Sequence, residues 1–171
     1  MKDIILAASI CLGACSTVVP STLWQMQALD PLTANPADIA LRVDLPDSVA
    51  LLPQAGTLDL RAQRRDGSDI GGSFPIIAVG NVVRVAPASH ADLRALQAEI
   101  AAWQAADPDG THGSLSVGIA PCLTGDDMPE TDRFSVAIRL AADGPFLPLV
   151  TDAPVVDALK AQAGDGVTRC S

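Results

Sequence analysis

His90 and His112 are the only imidazoles in the chain, and either would suit general-base work if a nucleophile and an orienting carboxylate converged on it. His90 stands beside Asp92, and His112 follows Asp109-Gly110-Thr111. No Gly-x-Ser-x-Gly elbow or comparable local signature accompanies them. Both therefore read as a helix-cap and a loop residue, and a hydrolase ranks last among the functions the chain suggests. Two acidic loops, Asp107 with Asp109 and Asp126-Asp127 with Glu130 and Asp132, offer oxygen ligands of the kind a hard cation such as Ca²⁺ gathers six to eight at a time. Neither has the full spacing of a calcium motif. Asp107, Asp109, Asp126 and Asp127 are thus weak metal candidates against ordinary turn chemistry, and no cofactor is expected. Arg61, Arg64 and Arg65 form a local reversal of charge; their planar guanidinium groups suit a carboxylate-bearing partner or an anionic headgroup, or else the solvated rim of a hairpin. Gly71-Gly72-Ser73 lacks the flanks of a phosphate loop.

Composition narrows the partners. The net charge of −9 disfavours nucleic acid, whose affinity comes largely from Lys and Arg neutralising phosphates. The same charge repels an anionic lipid surface as a whole. Aromatic residues are limited to Trp24, Trp103, Phe74, Phe134 and Phe146, which leaves little from which to build a stacking platform for bases or sugars. Hydrophobic residues at 49% with charged residues at 18% argue for a packed core and against disorder.

The elements that would position these residues are mostly strands. Ile39, Leu41, Val43 and Leu45 alternate with Ala40, Arg42 and Asp44, which predicts a half-buried strand ended by Pro46-Asp47. Residues 57–63 predict a second strand with Leu58, Leu60 and Ala62 inward, followed by a turn at Arg64-Arg65-Asp66-Gly67, where Asp-Gly supplies the positive φ of a tight turn. Two short strands, 74–79 and 81–85, follow around Gly80. Ser89 and Asp92 stand at capping-box spacing before a helix over 89–106. Its apolar stripe is Leu93, Leu96, Ile100 and Trp103, with Arg94, Gln97, Glu99 and Gln104 mostly away from it. Leu115, Val117 and Ile119 alternate again, as do Phe134, Val136, Ile138 and Leu140 against Ser135, Ala137 and Arg139. Residues 146–150 with Pro148 suit an edge strand. Asp152 is expected to cap a short C-terminal helix with Pro154 in its first turn and Gly164 as its stop. The expected class is mainly β with helices (α+β): an open antiparallel sheet with the helix across one face, or an immunoglobulin-like sandwich.

The apolar run from Ile4 to Leu12 would reach only ~14 Å as a helix against a ~30 Å hydrocarbon core, so it does not span a membrane. It follows Lys2 and leads into Leu12-Gly13-Ala14-Cys15. This quartet, with its apolar and two small residues before a cysteine, resembles the lipobox of bacterial lipoproteins, and the resemblance covers only the first fifteen residues or so. It implies cleavage between Ala14 and Cys15, acylation of Cys15 including palmitate, and a stable membrane anchor, since each buried CH₂ adds ~0.8 kcal/mol. Ser16 after the cysteine implies outer-membrane sorting, on the periplasmic face. Cys11 then leaves with the signal, Cys15 takes the lipid, and Cys122 and Cys170 remain to form a disulfide in an oxidising envelope.

The resulting plan is a signal peptide over 1–14, a tether or arm over 15–37 that includes the alternating residues 23–29, and one globular domain over 38–171. The expected function is that of a non-enzymatic, lipid-anchored envelope component that binds an envelope protein partner or serves in assembly. The alternative is a small-ligand-binding module, which an apolar pocket between helix 89–106 and the sheet would mark.

Overall fold

The computed structural model describes residues 31–125, 131–163 and 169–170. The lipobox quartet, the arm at 23–29, Asp126, Asp127, Glu130 and Gly164 lie outside the described residues. Seven strands, β1 (Ala40–Asp44), β2 (Val49–Arg64), β3 (Asp69–Val79), β4 (Val82–Val85), β5 (Thr111–Leu123), β6 (Arg133–Arg139) and β7 (Leu147–Pro154), join in one sheet of order β5-β2-β3-β4-β1-β6-β7. Every neighbouring pair is antiparallel. A 3₁₀ turn (Pro87–Ser89) leads into helix α1 (His90–Ala106), and helix α2 (Val155–Ala163) follows β7. The fold is therefore α+β, and of the two expected architectures it is the single sheet.

Alternation fixes the inner face. In the ladder, Leu58 of β2 stands between Phe74 of β3 and Val117 of β5, and Leu60 between Gly72 and Leu115. Leu41 of β1 likewise stands between Val83 and Ile138. These residues and their neighbours build one core, and α1 buries Leu93 and Ile100 in it, with Leu96 and Trp103 packed at its margin. Gly72 lets the helix down onto the sheet: a Cβ there would lie 3.3 Å from Leu96 Cδ2 and 2.8 Å from Phe74 Cζ.

Three local expectations need correction. Gln97, read as turned away from the apolar stripe, is only 1% exposed. Its Nε2 donates to the Pro31 carbonyl at 2.7 Å and the Ala34 carbonyl at 3.1 Å, because the chain entering at residue 31 covers that side of α1. Arg94 reinforces this contact by donating to the Ala34 carbonyl and to Asn35 Oδ1, so the last residues of the expected tether are held against the body. The capping box does not form. Ser89 makes no side-chain cap bond and already has helical backbone angles, φ −96° and ψ −3°, since the preceding 3₁₀ turn starts the winding earlier. Asp152 caps no helix either; it sits inside β7 at φ 54°, its N–H donating to Ser135 Oγ. β7 runs on until Pro154 pairs with Arg133, and α2 begins at Val155, whose N–H donates to the Asp132 carbonyl.

Four strands are longer than periodicity suggested: β3 begins at Asp69, five residues before Phe74, β7 runs on to Pro154, and β2 and β5 lengthen most. β2 starts eight residues before Thr57, and residues 52–55 bulge opposite Ala120 before the ladder resumes at Gly56, whose φ is 135°. β5 extends on both sides of its apolar triplet. The expected edge position of the Pro148 strand is observed, as β7 closes one end of the sheet. Cys122 and Cys170 are joined by a disulfide, with Cα atoms 5.0 Å apart and a sequence separation of 48. The Cys170 N–H donates to the Leu123 carbonyl beside it. Fixing a loop of this size removes roughly 4 kcal/mol of unfolded-chain entropy in the loop-closure description. No helix among the described residues is long and apolar enough to cross a membrane.

Candidate functional site

The β2–β3 hairpin turns where Asp-Gly predicted it. Gly67 has φ 88°, and its N–H donates to the Arg64 carbonyl. Asp66 accepts from both the Ser68 hydroxyl, at 2.6 Å, and the Ser68 N–H, at 2.9 Å. These two bonds, the hydroxyl first, hold the Asp66 carboxyl below its ordinary range. Arg64 and Arg65 are occupied locally. The Arg64 guanidinium lies 3.9 Å from the centroid of the Trp103 ring, and Arg65 donates to the Asp109 carbonyl. Together they fasten the hairpin to the C-terminal turn of α1.

Arg61 behaves differently. It projects from the outer face of the sheet, opposite Gly71 of β3 and Ser114 of β5, while Gln63 one step along stands between Asp69 and His112. These side chains border a hollow of about 420 Å³, within the size range of small-molecule sites. Gly71 makes room for it: a Cβ at that position would lie 2.7 Å from Arg61 Cγ. Within the described structure the side chains of Arg61, Gln63, His112 and Ser114 make no hydrogen bond of their own. The hollow thus presents a guanidinium, an amide, an imidazole and a hydroxyl to whatever enters, with Asp69 as the one carboxylate.

That arrangement suits recognition better than proton relay. Asp69 and His112 are two strand spacings apart, roughly 10 Å, and no hydrogen bond joins His112, Ser114 and Asp69. His90 is placed elsewhere, its Nε2 3.1 Å from the Val85 carbonyl. Two of the acidic loop residues do structural work. Asp107 Oδ1 accepts the Gly110 N–H within its turn, and the Asp132 carboxylate accepts the Ser48 hydroxyl. Among the described residues no group of three or more His, Cys, Asp or Glu is placed to hold a metal ion.

Apolar space lies at the other end of the molecule. A cavity of about 80 Å³ beneath α2 is lined by Leu45, Leu51, Phe134, Val155 and Leu159 among others. It is well below the size of a drug-like ligand site and lies away from α1; the hollow between the end of α1 and the sheet, about 150 Å³ and bordered by Leu32, Leu60, Gln104 and Leu115, is also below that size. Val79, at 72%, is the one large hydrophobic residue strongly exposed among the described residues.

Sequence reasoning picked out Arg61 and His112 separately but did not join them, and it missed Gln63, Asp69 and Ser114. The available signal was the alternation of β2 and β5, which puts 61 and 63 on one face and 112 and 114 on another; only the β2–β5 register makes these the same face. No protein-family model, curated protein or solved structure matches this chain.

Proposed function

We propose that the chain is a lipid-anchored cell-envelope protein, held through Cys15 at the periplasmic face of the outer membrane, which binds a partner without catalysing a reaction. The anchor rests on the quartet ending at Cys15, and the Cys122–Cys170 disulfide is in keeping with an oxidising compartment. The observation that carries the binding reading is the outer-face hollow. Its Arg61, Gln63, His112 and Ser114 side chains have no hydrogen-bond partner within the described structure. A carboxylate-bearing segment of an envelope protein is the chemistry such a set receives, with Arg61 as its bidentate anchor.

Crosslinking in the native cell, with the lipidated protein as bait and Cys15→Ser as control, tests this reading. A stoichiometric envelope partner captured by the lipidated form, and lost on Arg61→Gln, is the expected outcome; unchanged capture by Arg61→Gln contradicts the assignment of the hollow. The volume of the hollow favours one second reading, a small carboxylate ligand in the same place. In that case no protein is captured, and titration of the purified protein with small dicarboxylates saturates in the wild type and weakens about tenfold in Arg61→Gln.

A further inference from the structure

Ala40 and Ala137 face outward from the sheet, on the side opposite α1, yet Ala40 is fully buried and Ala137 only 7% exposed. The ladder identifies what covers them. Ala40 of β1 stands between Arg84 of β4 and Arg139 of β6, while Arg42, two residues along β1, stands between Val82 and Ala137. Arg42 is therefore a diagonal neighbour of both other arginines. The Phe146 ring joins the group, its centroid 5.0 Å from the guanidinium carbons of both Arg42 and Arg139. Arginine stems and one aromatic ring thus make a lid over two alanines.

Arg42 and Arg139 bring their guanidinium groups to one ring and Arg84 stands at the neighbouring register position, so like charges are set close together, and on a chain of net charge −9 their grouping is not a matter of abundance. Within the described structure they have little to offset them. Asp44 lies 3.5 Å from Arg42 Nε, is itself largely exposed, and also accepts from Asn81 Nδ2. Among the described residues Arg84 has no ion pair, and Arg139 Nε is buried with no hydrogen-bond partner. A buried donor left unpaired is costly, so the protein carries both a repulsion and an unmet donor at one spot, three strands away from the Arg61 hollow.

We propose that Arg42, Arg84 and Arg139 form a binding site for a phosphate group, carried either on the headgroup of an anionic lipid or on a free small molecule. A tetrahedral anion has oxygens to share among guanidinium groups approaching from three strands, whereas a planar carboxylate is satisfied by one. The site is independent of the Arg61 hollow. It would also reconcile an acidic protein with an anionic surface, because attraction acts locally over about one Debye length while the remaining charge is screened.

The test is an NMR titration of the full chain in neutral detergent, following the Arg139 Nε–H resonance. The probes are inorganic phosphate, dihexanoyl-phosphatidylglycerol, and the zwitterionic dihexanoyl-phosphatidylcholine as control. A saturable shift with inorganic phosphate supports a free phosphate ligand, and a shift only with the phosphatidylglycerol supports a headgroup. In both cases Arg84→Gln, which leaves the Arg42 and Arg139 contacts with Phe146 in place, should weaken binding about tenfold. No shift with either anion up to about 10 mM, an equal shift with the zwitterion, or unchanged affinity in Arg84→Gln would overturn the proposal.

Discussion

At the scale of single residues, the most consequential side chain is one that composition and periodicity disguise. Gln97 occupies a buried position on α1 and donates to two backbone carbonyls of the entering chain. Gln97→Ala removes both bonds, leaves the Pro31 carbonyl without this donor while the Ala34 carbonyl keeps Arg94, and opens a small void. A loss of roughly 2–3 kcal/mol in the urea-unfolding free energy is expected; a change under about 0.5 kcal/mol, typical of exposed positions, would show that the entering chain does not depend on it. The residue was illegible beforehand because a polar side chain beside an apolar stripe is normally solvated, and only the path of residues 31–36 over the helix makes it internal. Asp66 is the opposite case, legible as a turn residue from its neighbour Gly67. Its two bonds from Ser68 favour the ionised carboxyl, so the pKa is lower folded than unfolded. The contribution to stability is fully present above the ordinary carboxylate range and is lost as pH falls through the folded value. An NMR pH titration should therefore find Asp66 ionising at lower pH than it does in Ser68→Ala. Identical midpoints would remove the Ser68 hydroxyl bond as the cause.

At the scale of elements, the sheet was readable wherever alternation was clean and unreadable where the chain departs from it. The inward set Leu58, Leu60 and Ala62 and the stripe Leu93, Leu96, Ile100 and Trp103 follow directly from periods of two and 3.6. The first half of β2 does not, because Pro53 and the bulge before Gly56 break the alternation while the strand keeps its partner. Gly56 is what makes that bulge possible: at φ 135° a Cβ would collide with the Gly118 carbonyl across the ladder, and no backbone can yield there cheaply. Gly56→Ala is expected to destabilise the protein by roughly 3 kcal/mol through strain and overpacking together, read as a lowered urea midpoint. A shift of less than about 1 kcal/mol would mean that the bulge relaxes without cost. The ends of the helices were misread for a related reason. The positions of Ser89 and Asp152 satisfy the spacing rules of caps, but a 3₁₀ turn precedes one and a continuing strand holds the other.

At the scale of the whole molecule, one curled antiparallel sheet carries α1 on its inner face, while its outer face carries the Arg61 hollow and the arginine group around Ala40. The class of fold was legible because strand signals are local. The two outer-face sites were not, since each is assembled from residues on three strands whose order, β5-β2-β3-β4-β1-β6-β7, no single window of sequence encodes. The Cys122–Cys170 pairing is observed, and it was legible without geometry: with Cys11 and Cys15 proposed for the signal and the lipid, Cys122 has only Cys170 to pair with. The proposed envelope location and anchor both turn on Cys15, whereas the binding role rests on the Arg61 hollow. The decisive measurement is the intact mass of the protein extracted from membranes in detergent. A species lacking the first fourteen residues and carrying acyl groups on Cys15 is the predicted result, and an unmodified species that begins at Met1 would contradict it.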